Sequence, residues 1–145
     1  MSSKIPAILA ALTERLNTVA PTYRALEGRA LTQDAVARLP VLVLRLTQDQ
    51  LVNAIARTSV VTLNITIEAV ISADVAQPDA ELAELIYAIR AALMDADETP
   101  PLCGLVLGNG ITWEAATYNY PDSGDPYLMA QQPLVLKFSE HYRGS

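Results

Sequence analysis

SVVTLNITIEAVIS, Ser59 to Ser72, is the stretch on which the fold turns. Val61, Leu63, Ile65, Ile67, Ala69 and Ile71 alternate there with Thr62, Asn64, Thr66 and Glu68. A strand sends successive side chains to opposite faces, so this segment buries one face and offers a hydroxyl- and amide-rich face to water or to a partner. Across Ala76, Gln77, Pro78 and Asp79 the period changes. In PDAELAELIYAIRAALMDA, the residues Leu82, Leu85, Ile86, Ile89 and Leu93 fall on one stripe of a helix with about 3.6 residues per turn. An oily strand face followed by an oily helix stripe is satisfied most simply when the helix folds back onto the sheet.

Upstream, LPVLVLRLT (Leu39 to Thr47) is a leucine and β-branched run with Pro40 at its start, the pattern of a strand covered on both sides or lying centrally. Between the two strands lies TQDQLVNAIART, Thr47 to Thr58, with Leu51, Val52, Ile55 and Ala56 but no turn residue apart from Asn53. It can extend both strands into a long hairpin, or form a loop that orders on a partner. Exposed aliphatics in so long a stretch favour binding over mere connection, and Asp49, Gln50, Leu51, Val52, Asn53 and Ile55 are the candidate contacts. Towards the N-terminus, Ile5, Ile8, Leu9, Leu12, Leu16 and Val19 form a helical stripe from Ser3, a candidate N-cap, to about Val19; Pro21 ends it. Thr22 to Gly28 reads as a short strand.

Downstream, Pro100 and Pro101 stop the second helix. Cys103 to Leu107, a Gly-Asn-Gly turn and ITWEAATYNY read as two short strands, or as one strand with an approach loop. PDSGDP (Pro121 to Pro126) is a second turn-rich loop, and Leu134, Leu136, Phe138 and Tyr142 alternate in a closing strand whose apolar series only Glu140 breaks. The expected architecture is one α+β domain over residues 1–145: a mainly antiparallel sheet of four or five strands with two helices packed on one face.

Composition agrees with a globular chain: of 145 residues, 51% are apolar and 18% charged, and a single Phe and a single Trp leave the core to aliphatic side chains. The net charge of -6 and the lack of a basic cluster argue against a grip on nucleic acid, whose backbone is held by Lys and Arg. Arg45 interrupts the LPVLVLRL run well short of the roughly 20 apolar residues a membrane span needs. Glu14 and Arg15 follow IPAILAAL at once, with no cleavage-site pattern, so that segment is expected to be a helix rather than a signal peptide. One cysteine, Cys103, cannot pair internally; between Leu102 and Leu105 it reads as a small buried thiol.

No catalytic or cofactor signature emerges. The single histidine, His141, has no recognisable nucleophile or carboxylate partner and is expected to be solvated. Gly108-Asn109-Gly110 lacks the Lys and the later Gly of a phosphate cradle. Asp122 and Asp125 could give oxygens to a divalent ion, but Ca²⁺ takes about six to eight ligands and no EF-hand spacing follows, so a turn is the better reading. No cofactor and no metal is therefore expected. Asp79, just after Pro78, suits the positive end of a helix, and Glu81 and Glu84 continue the acidic first turn. A residue that fixes a helix start beside a loop can also shape a subunit contact. Tyr118, Tyr120 and Tyr127 crowd the PDSGDP loop, as amphipathic rings do at interfaces and at sheet edges.

The order of these segments resembles the lambda-type minor tail protein U family, the tail terminators of long-tailed bacteriophages. The resemblance runs from the N-terminal helix to the last strand. It is carried by LPVLVLRLT, LNITIEAVIS, the PDAELAELIYAIRAAL helix start, PLCGLV, the Tyr-rich strand leading to an Asp-containing loop, and LVLKFSEHY. The chain departs from the family at TQDQLVNAIART and around Gly-Asn-Gly. The resemblance implies a non-enzymatic virion protein, assembled in the host cytoplasm. Such a protein forms a homo-oligomeric ring, expected to be a hexamer, on the head-proximal end of the tail tube. Its implied partners are the tail tube protein and head-tail connector proteins; DNA would pass the lumen without specific binding, and no membrane is involved. Asp79, Glu81, Thr66 and Glu68 are then the expected subunit contacts. The segment from Asp49 to Ile55 becomes the tube- or partner-binding loop, and Tyr120, Asp122, Asp125 and Tyr127 a second contact loop. The alternatives are another neck or head-tail joining protein, and a small ligand-binding or enzyme domain built on Asp122, Asp125 and the nearby tyrosines.

Overall fold

The alternating segment forms the middle of a six-stranded sheet. A computed structural model describes residues 3–24, 37–55, 58–94, 111–120 and 126–141, with 52–55, 58 and 141 as backbone alone. In chain order the elements are helix α1 (Ile5–Leu16), strands β1 (Thr22–Arg24), β2 (Val41–Ile55) and β3 (Thr58–Ser72), helix α2 (Pro78–Leu93), and strands β4 (Ile111–Trp113), β5 (Thr117–Asn119) and β6 (Tyr127–His141). The spatial order is β1-β2-β3-β6-β4, with β5 also on the outer side of β6. Only the β1–β2 pair is parallel. The α+β architecture with a mainly antiparallel sheet is therefore present, and short β1, β4 and β5 bring the strand count to six rather than four or five.

Both helices lie on one face. Ile8, Leu12 and Leu16 of α1 and Leu82, Ile86, Ile89 and Leu93 of α2 join Leu42, Leu44, Leu63, Ile65, Ile67, Leu134, Leu136 and Phe138 in one continuous core. Each large aliphatic buried there contributes about 1.5–3 kcal/mol relative to exposure, which is why the period-two and period-3.6 patterns of the sequence register so directly. Helix α2 packs over β3 and β6, whereas α1 reaches β1. On the opposite face a smaller cluster of Val41, Val43 and Val70 is flanked by Tyr23, Leu39, Tyr127 and Met129. Val41 to Leu44 are thus buried on both faces, as a non-alternating run requires.

Strand β6 starts seven residues before the alternating series that marks it. Pro133 is the reason, since an imino nitrogen in a strand discourages that assignment. Its carbonyl accepts the Glu114 N–H at 3.1 Å, on the side away from β3. The nitrogen and carbonyl of one strand residue point the same way, so the missing donor also faces outward, in the gap between β5 (opposite 129–131) and β4 (opposite 134–136). The β3–β6 ladder accordingly runs unbroken from Thr58↔His141 to Ser72↔Tyr127.

Candidate interaction surface

The stretch Thr47 to Ile55 is strand, not loop. Asp49, Gln50, Leu51, Val52, Asn53 and Ile55 all lie in β2, antiparallel to β3, and the segment forms one arm of a long hairpin. The physical reason is a pair of bulges. Leu46 faces Ile65 and Gln48 faces Asn64, which leaves Thr47 as an extra residue; likewise Leu51 faces Val61 and Asn53 faces Val60, leaving Val52 extra. The Thr47 hydroxyl donates to the Asn64 carbonyl at 3.0 Å and holds the first bulge closed.

That first bulge decides what the arm displays. It resets the alternation, so Leu46, Asp49 and Leu51, opposite Ile65, Leu63 and Val61, share the face on which the helices lie. Beyond Leu44, where β1 ends, no other described strand flanks this side of β2. Leu46 is 45% exposed and Leu51 48%, although their cross-strand partners Ile65 and Val61 are buried.

At the base of the arm sits a charged network. Glu68, only 5% exposed, pairs through Oε1 with the Arg45 Nε and accepts a hydrogen bond at Oε2 from Gln131 Nε2 at 2.8 Å. Three neighbouring strands are thereby joined on the face away from the helices. Glu68 is among the expected subunit contacts, and both of its oxygens are engaged within the chain. Thr66, Asn64 and Thr62 on the same face are half-buried.

Two further buried polar groups tie elements together. Gln132, with 0% exposure, accepts from Arg90 Nε of α2 at 2.9 Å and donates to the carbonyls of Glu114 and Pro133, each at 2.8 Å. Glu140 lies on the core side of β6 and accepts from the Ser3 hydroxyl at 3.3 Å; that hydroxyl in turn accepts the Ile5 N–H at 3.1 Å. Ser3 therefore serves the start of α1 from just outside it. Glu140 breaks the apolar series because it meets that helix start. The distant partners were invisible in the sequence: Arg90 and Gln132 are 42 residues apart, Ser3 and Glu140 137, and the Gln132–Glu114 bond depends on a hidden register. The one available signal was a polar residue in an otherwise apolar strand phase, at Gln132 and Glu140.

Asp79 occupies the first turn of α2 after Pro78, and its Oδ1 accepts the Ala80 N–H at 2.8 Å. Glu81 is in the same turn. Tyr118 and Tyr120 are exposed, while Tyr127 is half-buried in the smaller cluster. The second contact loop is thus divided: Asp122 and Asp125 lie outside the described residues, as do Cys103 and the Gly-Asn-Gly turn, and Tyr127 belongs to β6. Among the described residues no group of three or more His, Cys, Asp or Glu is placed to hold a metal ion, and no helix is long and apolar enough to cross a membrane.

No protein-family model matches the sequence, and neither does any curated protein. Among solved structures, 36 chains match. One is a chain of the virion of a native gene transfer agent particle, similar over 92% of this chain and 91% of that one, with 14% identity and a TM-score of 0.47.

Proposed function

We propose that this chain is a structural component of a phage-like virion and, within that class, a tail terminator that forms a ring on the head-proximal end of the tail tube. The observation that carries the reading is the β2–β3 arm. It continues past the end of β1 and displays Leu46 and Leu51 to solvent, which suits a protein that works by contact with other chains. The resemblance of segment order to the tail terminator family supplies the particular role. Because the arm is already a strand, docking on the tube presents an ordered surface rather than folding a loop.

Asp79 and Glu81 at the start of α2, and Thr66 on the open sheet face, are the proposed subunit contacts. The arm residues Asp49 to Ile55 and the exposed Tyr120 meet the tube or a neighbouring chain. A wall with the acidic balance of this chain would let DNA pass without adhesion, since neither attracts the other. The test is tube length. Tubes polymerised with this chain present are expected to stop at a defined length, and a variant lacking residues 49–55 is expected to leave them to overgrow. Normal-length tubes with that variant would remove the arm from the docking role.

A further inference from the structure

The exposed large apolar side chains of the described residues are Leu46, Leu51, Tyr87, Met94, Tyr118 and Tyr120. They separate to two sides. Leu46 and Leu51 lie on β2, towards the β1 side of the sheet, whereas Tyr87 lies on α2 and Met94 at its C-cap, on the helix that packs over β3 and β6. Tyr118 and Tyr120 fall on or next to β5, beyond β6. When two unlike patches of one molecule are complementary to each other, copies can associate head to tail through them.

The two main patches also match in pattern. On β2, Asp49 faces Leu63, midway between Leu46 at Ile65 and Leu51 at Val61, so an acid sits between two leucines along about 13 Å of strand. Along α2 to its C-cap, Tyr87, Arg90 and Met94 follow steps of three and four, so a base sits between two apolar side chains along about 10 Å. Tyr87 is 70% exposed. Arg90 is half-buried and donates through Nε to the neutral amide oxygen of the buried Gln132, a bond that anchors the side chain without supplying a counter-charge. Apolar-acid-apolar thus matches apolar-base-apolar in order, over comparable lengths.

We infer that the Leu46–Asp49–Leu51 patch of one copy docks on the Tyr87–Arg90–Met94 stripe of a second copy of this chain, and that this contact repeats around the ring. The inference rests on the ring reading for its closure, and it assigns Asp49 and Leu51 to the neighbouring subunit rather than to the tube. Its driving force is burial of four apolar side chains, with the Asp49–Arg90 pair fixing register and orientation.

The test uses the full chain and two substitutions of exposed side chains, Leu51→Asp and Tyr87→Asp, each checked for unchanged thermal stability. Amide chemical shifts of the unsubstituted chain, followed up to about 1 mM, are expected to move with concentration at both patches together. Either variant alone is expected to weaken association at least tenfold. Mixed, they are expected to form one-to-one pairs, because the intact arm of the Tyr87 variant meets the intact stripe of the Leu51 variant. Failure of the mixture to pair, shifts confined to one patch, or shifts absent up to that concentration would each overturn the inference. A ring built through other surfaces would leave the proposed function standing without this contact. Head-to-tail pairing that closes at another number, or not at all, would support this contact and count against the ring.

Discussion

Glu68 illustrates how a residue can look free in the sequence and be committed in the structure. In NITIEAV it occupies the polar phase of an alternating strand, and nothing nearby marks Arg45, on another strand, as its partner. Arg45 is 37% exposed, so the pair is partly screened, whereas the carboxylate is not. Arg45→Ala leaves Glu68 with Gln131 alone and is expected to cost about 1–2 kcal/mol, measured by urea denaturation. Gln132 has the opposite history: the Gln131-Gln132-Pro133 run hid the strand, although Gln132 faces the core with three partners. Gln132→Leu strands the Glu114 carbonyl and the Arg90 Nε, with an expected loss of about 1–3 kcal/mol even though it adds an apolar side chain. A gain in stability would show that those groups find water instead.

At the scale of elements, what could be read in advance was what repeats. The stripes of α1 and α2 and the alternation of β3 follow directly from burial on one face, and the helices and the central strand stand where their periods put them. The arm was ambiguous for a definite reason. Leu46 and Leu51 are five residues apart, an odd interval that no regular strand can place on one face; the Thr47 bulge absorbs the extra residue. This carries a prediction. Deleting Thr47 heals the bulge without shifting the pairs beyond it, so Gln48 should remain opposite Asn64 and Leu51 opposite Val61, visible as unchanged cross-strand proton contacts. Loss of those contacts would mean that the bulge, and not the pairing, holds the arm in register. Site residues outside repeating patterns were legible only in part: Asp79 met its helix start as expected, whereas Arg45, Gln132 and Ser3 needed the tertiary fold to reveal their partners.

At the scale of the whole molecule, the helices cover one sheet face, the smaller cluster closes one end of the other, and the exposed large apolar side chains of the described residues sit on β2, on α2 and its C-cap, and on or beside β5. Under the proposed ring reading, such a distribution suits a subunit that meets its neighbours sideways. The most direct measurement is negative-stain electron microscopy of the purified chain mixed with its cognate tail tubes. The expected result is a ring, with six subunits around it, at one end of each tube and never at both. Tubes with bare ends, or a chain bound along their length, would contradict the terminator role.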